Sequence, residues 1–240
     1  MWLYRTLKYS GKRFGKYIIE KPIGEGRYGL CLLARSDIGE KVVIKKFKRS
    51  IFKKNSEGSV NEAIILSKLV DNRIPKFLGV INQKGVYGFV LEFKHGYTVK
   101  ELLFKYKHKF TTEEFFDIGT QLIKIIKYIH GNGVVHRDIR IPNILIDKEE
   151  VYLLDFGLAR FADNDKYPYD LDFSYLGDLL LYLLYSSFET KKNHKKLPWH
   201  KELALTSTQR LFLKKLLGLE LTYENIDDIE TDFIKVFKVV

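Results

Sequence analysis

Short β-branched apolar runs separated by turn residues fill the first third of the chain. They then give way to segments whose apolar positions recur every three or four residues. Tyr17-Ile18-Ile19 leads into a glycine-rich turn, Leu30-Cys31-Leu32-Leu33-Ala34 leaves it, and Lys41-Val42-Val43-Ile44-Lys45 follows the turn Asp37-Ile38-Gly39-Glu40. This punctuation predicts an antiparallel meander of short strands. Between Asn61 and Val70 the period changes: Ile65, Leu66 and Leu69 fall at helical spacing. Glu62, three and four residues before the first two, shares their face. Val80-Ile81 and Tyr87 to Phe93 read as further strands, and Lys94-His95-Gly96 as a hinge. Thr111-Thr112-Glu113-Glu114 places hydroxyl caps and acids where a helix begins, and Phe115, Ile118, Leu122, Ile125, Ile126 and Ile129 form its buried face. Val151 to Leu154 is strand-like. The longest apolar run, Leu179 to Leu184 with a few neighbours, is far short of the roughly 20 residues that span a bilayer and reads as a core helix.

Composition narrows the class. The chain has 240 residues, 45% hydrophobic and 14% aromatic, enough to bury a real core in one large domain or in two lobes sharing a cleft. A single cysteine, Cys31, excludes a disulfide framework and a cysteine-built zinc site. The opening residues MWLYRTLKYSGKRF lack the apolar stretch and small-residue cleavage site of a signal peptide, so a cytoplasmic protein without membrane insertion is expected. Net charge is +11, with basic clusters at Lys45 to Arg49, Lys105 to Lys109 and Lys191 to Lys196. Such a field favours nucleic acid, anionic lipid or acidic protein partners, and it equally describes a solvated surface. Abundant Lys, Ile, Tyr and Phe with few Ala, Pro and Arg suit a low-GC genome, which would raise the lysine content for reasons other than function.

The candidate chemistry sits in two segments. His136-Arg137-Asp138-Ile139-Arg140-Ile141-Pro142-Asn143 precedes the strand-like run, and Asp155-Phe156-Gly157 follows it. Together they offer a carboxylate base, an amide and a second carboxylate, which phosphoryl transfer from a metal-bound nucleotide requires. Upstream, Gly24, Gly26 and Gly29 would let backbone amides approach phosphate oxygens, although a glycine-bearing hairpin has the same composition. Strand alternation puts Val43 and Lys45 on one face and Lys46 on the other. Glu62 is the helix acid placed to pair with Lys45, with Glu57 as a competitor.

In this order the motifs resemble the Hanks-type, eukaryotic-like serine/threonine protein kinase family, from about Tyr17 to the helix containing Asp172. The resemblance implies an α+β, bilobal kinase-like fold: a small antiparallel β lobe with one helix over about 17–93, and a mainly helical, shortened lobe over about 97–240. Residues 1–16 would be a basic N-terminal extension. It implies ATP and Mg²⁺ as cofactors, with Mn²⁺ as a substitute metal, and a protein carrying the Ser/Thr acceptor. Asp138 would be the catalytic base, Asn143 and Asp155 the metal ligands, and Arg140, standing where lysine is usual, would neutralise the transferring phosphoryl group. Lys45, paired with Glu62, would orient the α and β phosphates. Nucleotide contacts would come from Ile23, Gly24, Glu25, Gly26, Gly29, Cys31, Val43, Lys45 and Glu92, with Leu91 at the back of the adenine pocket. Asp172 would anchor the catalytic loop, His136 would stack beneath Phe156, and His130 would be structural.

The sequence also departs from the family pattern. Asp172 stands only seventeen positions after Asp155, and no Ala-Pro-Glu lies between them. The arginine that normally pairs with that glutamate has no counterpart in Lys214 to Asn225, so neither partner is left buried alone. Ile141 replaces a usual proline, with Pro142 one place later. Between Gly157 and Leu171 there is no serine or threonine, only Tyr167 and Tyr169. Arg137, which in the family grips an activating phosphate, is expected to meet Asp163 or Asp165 in a constitutively ordered loop. The truncation leaves a small-molecule kinase of the same fold open as a second reading, and the basic surface leaves a third, a nucleotide-binding scaffold or pseudokinase that uses it to bind nucleic acid or an acidic partner.

Overall fold

Buried and exposed residues alternate along the early strands as a sheet with one packed face requires. In the computed structural model, residues 8–25, 29–48, 56–83, 86–163, 165–189 and 197–238 are described, 56–60 by their backbone alone. The chain divides into two compact units, the first ending at Lys94 and the second starting at His95.

The first unit is a six-stranded antiparallel sheet. Its strands are β1 (Arg13–Phe14), β2 (Tyr17–Glu25), β3 (Gly29–Ser36), β4 (Lys41–Phe47), β5 (Phe77–Gln83) and β6 (Val86–Glu92), in the order β1-β2-β3-β4-β6-β5. One face buries Ile19, Leu32, Ala34, Val42, Ile44 and Val90. Phe14 and Tyr9 join this core, so part of the N-terminal stretch ahead of Tyr17 belongs to the sheet. Helix α1 (Ser56–Lys68) buries Ile65 and Leu66, with Leu69 just beyond its end. Two glycines let neighbouring backbones close on β4: a Cβ on Gly29 would lie 2.1 Å from the Lys46 carbonyl oxygen, and one on Gly88 would lie 2.4 Å from that of Lys45. The missing side chain of Gly29 therefore serves strand packing.

The second unit is mainly helical. After β7 (Tyr97–Thr98) come α2 (Val99–Phe104) and α3 (Thr112–Gly131). Strands β8 (Val134–Val135), β9 (Ile144–Asp147), β10 (Glu150–Leu153) and β11 (Arg160–Phe161) form two small sheets, β10-β9-β7 and β11-β8. Helices α4 (Asp170–Tyr185), α5 (Trp199–Glu202), α6 (Ser207–Leu216) and α7 (Ile226–Phe237) follow. Thr111 caps α3 by accepting from the Glu114 amide, and the Glu114 carboxylate returns a bond to the Thr111 amide. All six apolar positions expected on α3 are buried, together with Gly119 and Ile123. Each such side chain contributes about 1.5–3 kcal/mol relative to exposure. Helix α7 docks on this face through Phe233, which stacks on Phe116 with ring centroids 5.6 Å apart. This is an α+β fold in which the segment between β8 and β9 is enclosed by α3, α4 and the 3₁₀ turn Phe156–Leu158. No helix among the described residues is long and apolar enough to cross a membrane.

Candidate active site

In the first unit, strand register aligns Gly24, Cys31 and Lys45 in one row across β2, β3 and β4. Alternation puts Val43 on the Lys45 face, while Val42 and Ile44 enter the core. Lys45 is buried, and its Nζ donates to Glu62 Oε1 at 2.7 Å. Two charges taken out of water together hold each other in place, and removing one strands the other at a cost of about 3–5 kcal/mol. Glu62 is the helix acid that meets Lys45; the side chain of Glu57 lies outside the described residues. Ile23 is 41% exposed near the end of β2, and Glu25 pairs with Lys48 at 3.8 Å. Gly26 lies outside the described residues. Glu92 pairs in register with Val42, and its carboxylate accepts from Lys94 Nζ at 3.0 Å and from the Lys76 amide at 3.1 Å.

In the second unit, the loop after β8 is built around Asp172, which is fully buried in the first turn of α4. Its Oδ2 accepts from the His136 amide at 2.7 Å and from His130 Nε2 at 3.0 Å, and its Oδ1 accepts from the Arg137 amide at 2.7 Å. A carboxylate with no exposure is tolerable here because donors meet both of its oxygens. These bonds hold Arg137 in the left-handed region, φ 65°. His136 packs edge-on against Phe156, centroids 4.6 Å apart, so the loop and the 3₁₀ turn share one core. Its Nε2 donates to the Leu154 carbonyl at 3.2 Å and its Nδ1 accepts the Asp138 amide at 3.3 Å. Burial holds this imidazole below its ordinary pKa, although the carboxylates of Asp172, Asp155 and Asp138 pull it upward.

Asp138 is nearly buried, and bonds reach both of its carboxylate oxygens: Arg140 Nε donates to Oδ1 and Asn143 Nδ2 to Oδ2 at 2.8 Å. Asn143 Nδ2 also donates to the Asp138 carbonyl at 2.9 Å. With its nitrogen committed to two acceptors, Asn143 turns its amide oxygen away as a hard donor. Asp155 is exposed with φ 59°, and its Oδ1 accepts the Gly157 amide at 3.2 Å. The fold thus brings Asp138, Arg140 and Asn143 into direct contact and sets Asp155 just after β10, the strand that returns antiparallel to the one leaving them.

The segment from Asp155 to Asp172 is short and closed on itself. Strand β11 pairs with β8, and Asp163 and Tyr167 form a bridge through their backbones. The expected partner of Arg137 is corrected here. Asp163 Oδ1 accepts the amides of Asp165 and Lys166. The Arg137 guanidinium instead lies 4.5 Å over the Tyr167 ring and donates to the Leu158 carbonyl at 3.1 Å. The ring contact could not be read from charge patterning, which ranks only carboxylates as partners for arginine.

The protein kinase domain model matches residues 17–177. The chain belongs to the protein kinase family. The match runs from β2 into α4 of the kinase domain, so α5, α6 and α7 lie beyond it. The probable serine/threonine-protein kinase YbdM of Bacillus subtilis is 34% identical over 233 residues, covering 94% of this chain and 91% of that protein. A probable serine/threonine-protein kinase of Dictyostelium discoideum is 34% identical over 174 residues, 71% of this chain but 34% of that protein. Serine/threonine-protein kinase PKH2 of Candida albicans is 34% identical over 167 residues, 63% of this chain and 17% of that protein. The chain therefore spans nearly all of the Bacillus relative, about a third of the Dictyostelium one and about a sixth of the Candida one.

Proposed function

We propose that this kinase domain transfers the γ-phosphoryl group of ATP to serine or threonine hydroxyls of protein acceptors, in the cytoplasm. The observation that carries the reading is the Asp138 carboxylate, nearly buried and held through both oxygens by Arg140 and Asn143. A carboxylate fixed in this way orients an incoming hydroxyl and takes its proton. The hydroxyl oxygen bonds to the γ-phosphorus while the bond from that phosphorus to the bridging oxygen breaks, and ADP leaves. Arg140, beside the carboxylate, offsets charge on the transferring group. Lys45, held by Glu62, orients the α and β phosphates.

The donor set suits Mg²⁺. Asn143 and Asp155 supply hard oxygens, and no group of three or more His, Cys, Asp or Glu among the described residues could cage a metal ion. Such a pair fits an ion that completes its shell with phosphate oxygens and water. When bound, Mg²⁺ supplies charge stabilisation at the phosphates; Mn²⁺ would meet the same oxygens. The Ser/Thr acceptor class is supported by the relatives, which are serine/threonine-protein kinases by name.

The test is transfer of label from γ-labelled ATP with Mg²⁺, to the chain itself and to a protein and peptide panel, in wild type and in Asp138→Asn and Asp155→Asn. Label on serine or threonine that vanishes in both variants is expected. The short Asp155 to Asp172 segment favours a second reading, a small-molecule acceptor. ATP consumption with a metabolite pool and no labelled protein would select it, while nucleotide binding without turnover would select a scaffold.

A further inference from the structure

We infer that Tyr167 is a positioning residue for phosphoryl transfer, holding the catalytic loop through Arg137 without any covalent modification. The inference rests on the function proposed above. Arg137 immediately precedes Asp138, and its left-handed backbone ties the direction of its side chain to the setting of the loop. Its amide is fixed from one side by Asp172. Its guanidinium is fixed from the other side by the Tyr167 ring and the Leu158 carbonyl. Among the described residues no carboxylate forms an ion pair with Arg137, so the ring face is the electron-rich group that receives the cation.

Tyr167 is well placed to act as an anchor. Its amide donates to the Asp163 carbonyl at 2.7 Å and its carbonyl accepts the Asp163 amide at 3.2 Å, so the turn that carries it is closed. Two residues later Tyr169 lies against His130, centroids 4.5 Å apart, and donates its hydroxyl to the His130 carbonyl at 3.2 Å. His130 in turn donates to Asp172. The Tyr167-Pro168-Tyr169 stretch thus reaches the loop along two routes, through Arg137 and through His130 to Asp172. With no serine or threonine between Gly157 and Leu171, it does so with groups that are always present.

The experiment compares Tyr167→Leu and Tyr167→Phe in the full chain. Phe keeps the ring face and loses only the hydroxyl, so its kcat should match wild type. Leu removes the face: kcat should fall about tenfold, with KM for ATP and the thermal midpoint unchanged. Arg137→Met and Tyr167→Leu together should cost less than the sum of the two single changes, because the ring and the guanidinium act on each other. Hydrogen exchange over residues 134–140 supplies a readout independent of turnover: Leu should speed it and Phe should not. Wild-type kcat and exchange in Tyr167→Leu, with Asp138→Asn inactive, would overturn the inference and leave the proposed function intact. If wild type transfers no phosphate, the function fails and exchange alone decides the positioning role.

Discussion

A single proton decides how His136 can sit. Its Nδ1 must stay bare to accept the Asp138 amide while Nε2 donates to the Leu154 carbonyl, so the fold selects one neutral tautomer. Complete burial keeps the ring below the ordinary imidazole value of 6.5. In the window between the folded and the unfolded pKa the unfolded chain therefore binds more protons, and stability rises with pH. The contribution is fully present above about 6.5 and is lost as pH falls through the folded value. Urea midpoints should accordingly drop on acidification from about pH 7 to pH 5, and His136→Gln should flatten that slope whatever its effect on absolute stability. An unchanged slope in the variant would assign the acid sensitivity to other groups.

Between elements, the tightest demand is where α3 meets α7. A Cβ on Gly119 would lie 2.3 Å from Phe233 Cζ, and Phe233 is fully buried among Phe115, Phe116, Phe212 and Phe237. That ring has nowhere to retreat, so Gly119→Ala should destabilise by about 1–3 kcal/mol. Gly131, at the end of the same helix, would place a Cβ in open space, and Gly131→Ala should stabilise by up to about 1 kcal/mol. Urea denaturation of both variants checks the opposite signs, and two shifts of the same sign would contradict the packing argument. This junction also marks what sequence could and could not reveal. The buried face of α3 was legible because six apolar residues keep one period. Lys45, Glu62, Asp138, Asn143 and Asp172 were marked as candidates because they stand where the resemblance to the kinase family puts its site residues, and the contacts Lys45–Glu62, Asp138–Asn143 and Asp172 to the loop amides could be looked for from there. Strand β1 has only two residues, too few for a period, and was missed. Helix α6 was missed although Thr206 and Gln209 carry a capping box, since no motif drew attention to that stretch. Gly29 and the ring partner of Arg137 needed coordinates, because a close backbone approach and a ring face leave no mark in composition.

Over the whole molecule, charge is divided unevenly in a way that the net value of +11 conceals. The unit ending at Lys94 holds 20 Lys and Arg against 8 Asp and Glu, net +12. The unit from His95 holds 21 against 22, net −1. The excess of positive charge therefore lies in the first unit, and long-range attraction of an acidic acceptor should act mainly on it. Such steering is screened once the Debye length falls to about 10 Å near 0.1 M salt. For an acidic protein acceptor, kcat/KM should fall steeply as KCl is raised, while for a neutral acceptor it should barely move. Exposed Lys12, Lys16 and Lys21 changed together to Gln should flatten the salt dependence. The same change at exposed Lys107, Lys201 and Lys235, in the second unit, should leave the dependence as it is, although the loss in net charge is equal. Equal flattening by the two triple variants would mean that total charge governs encounter; the expected difference would place acceptor attraction on the first unit.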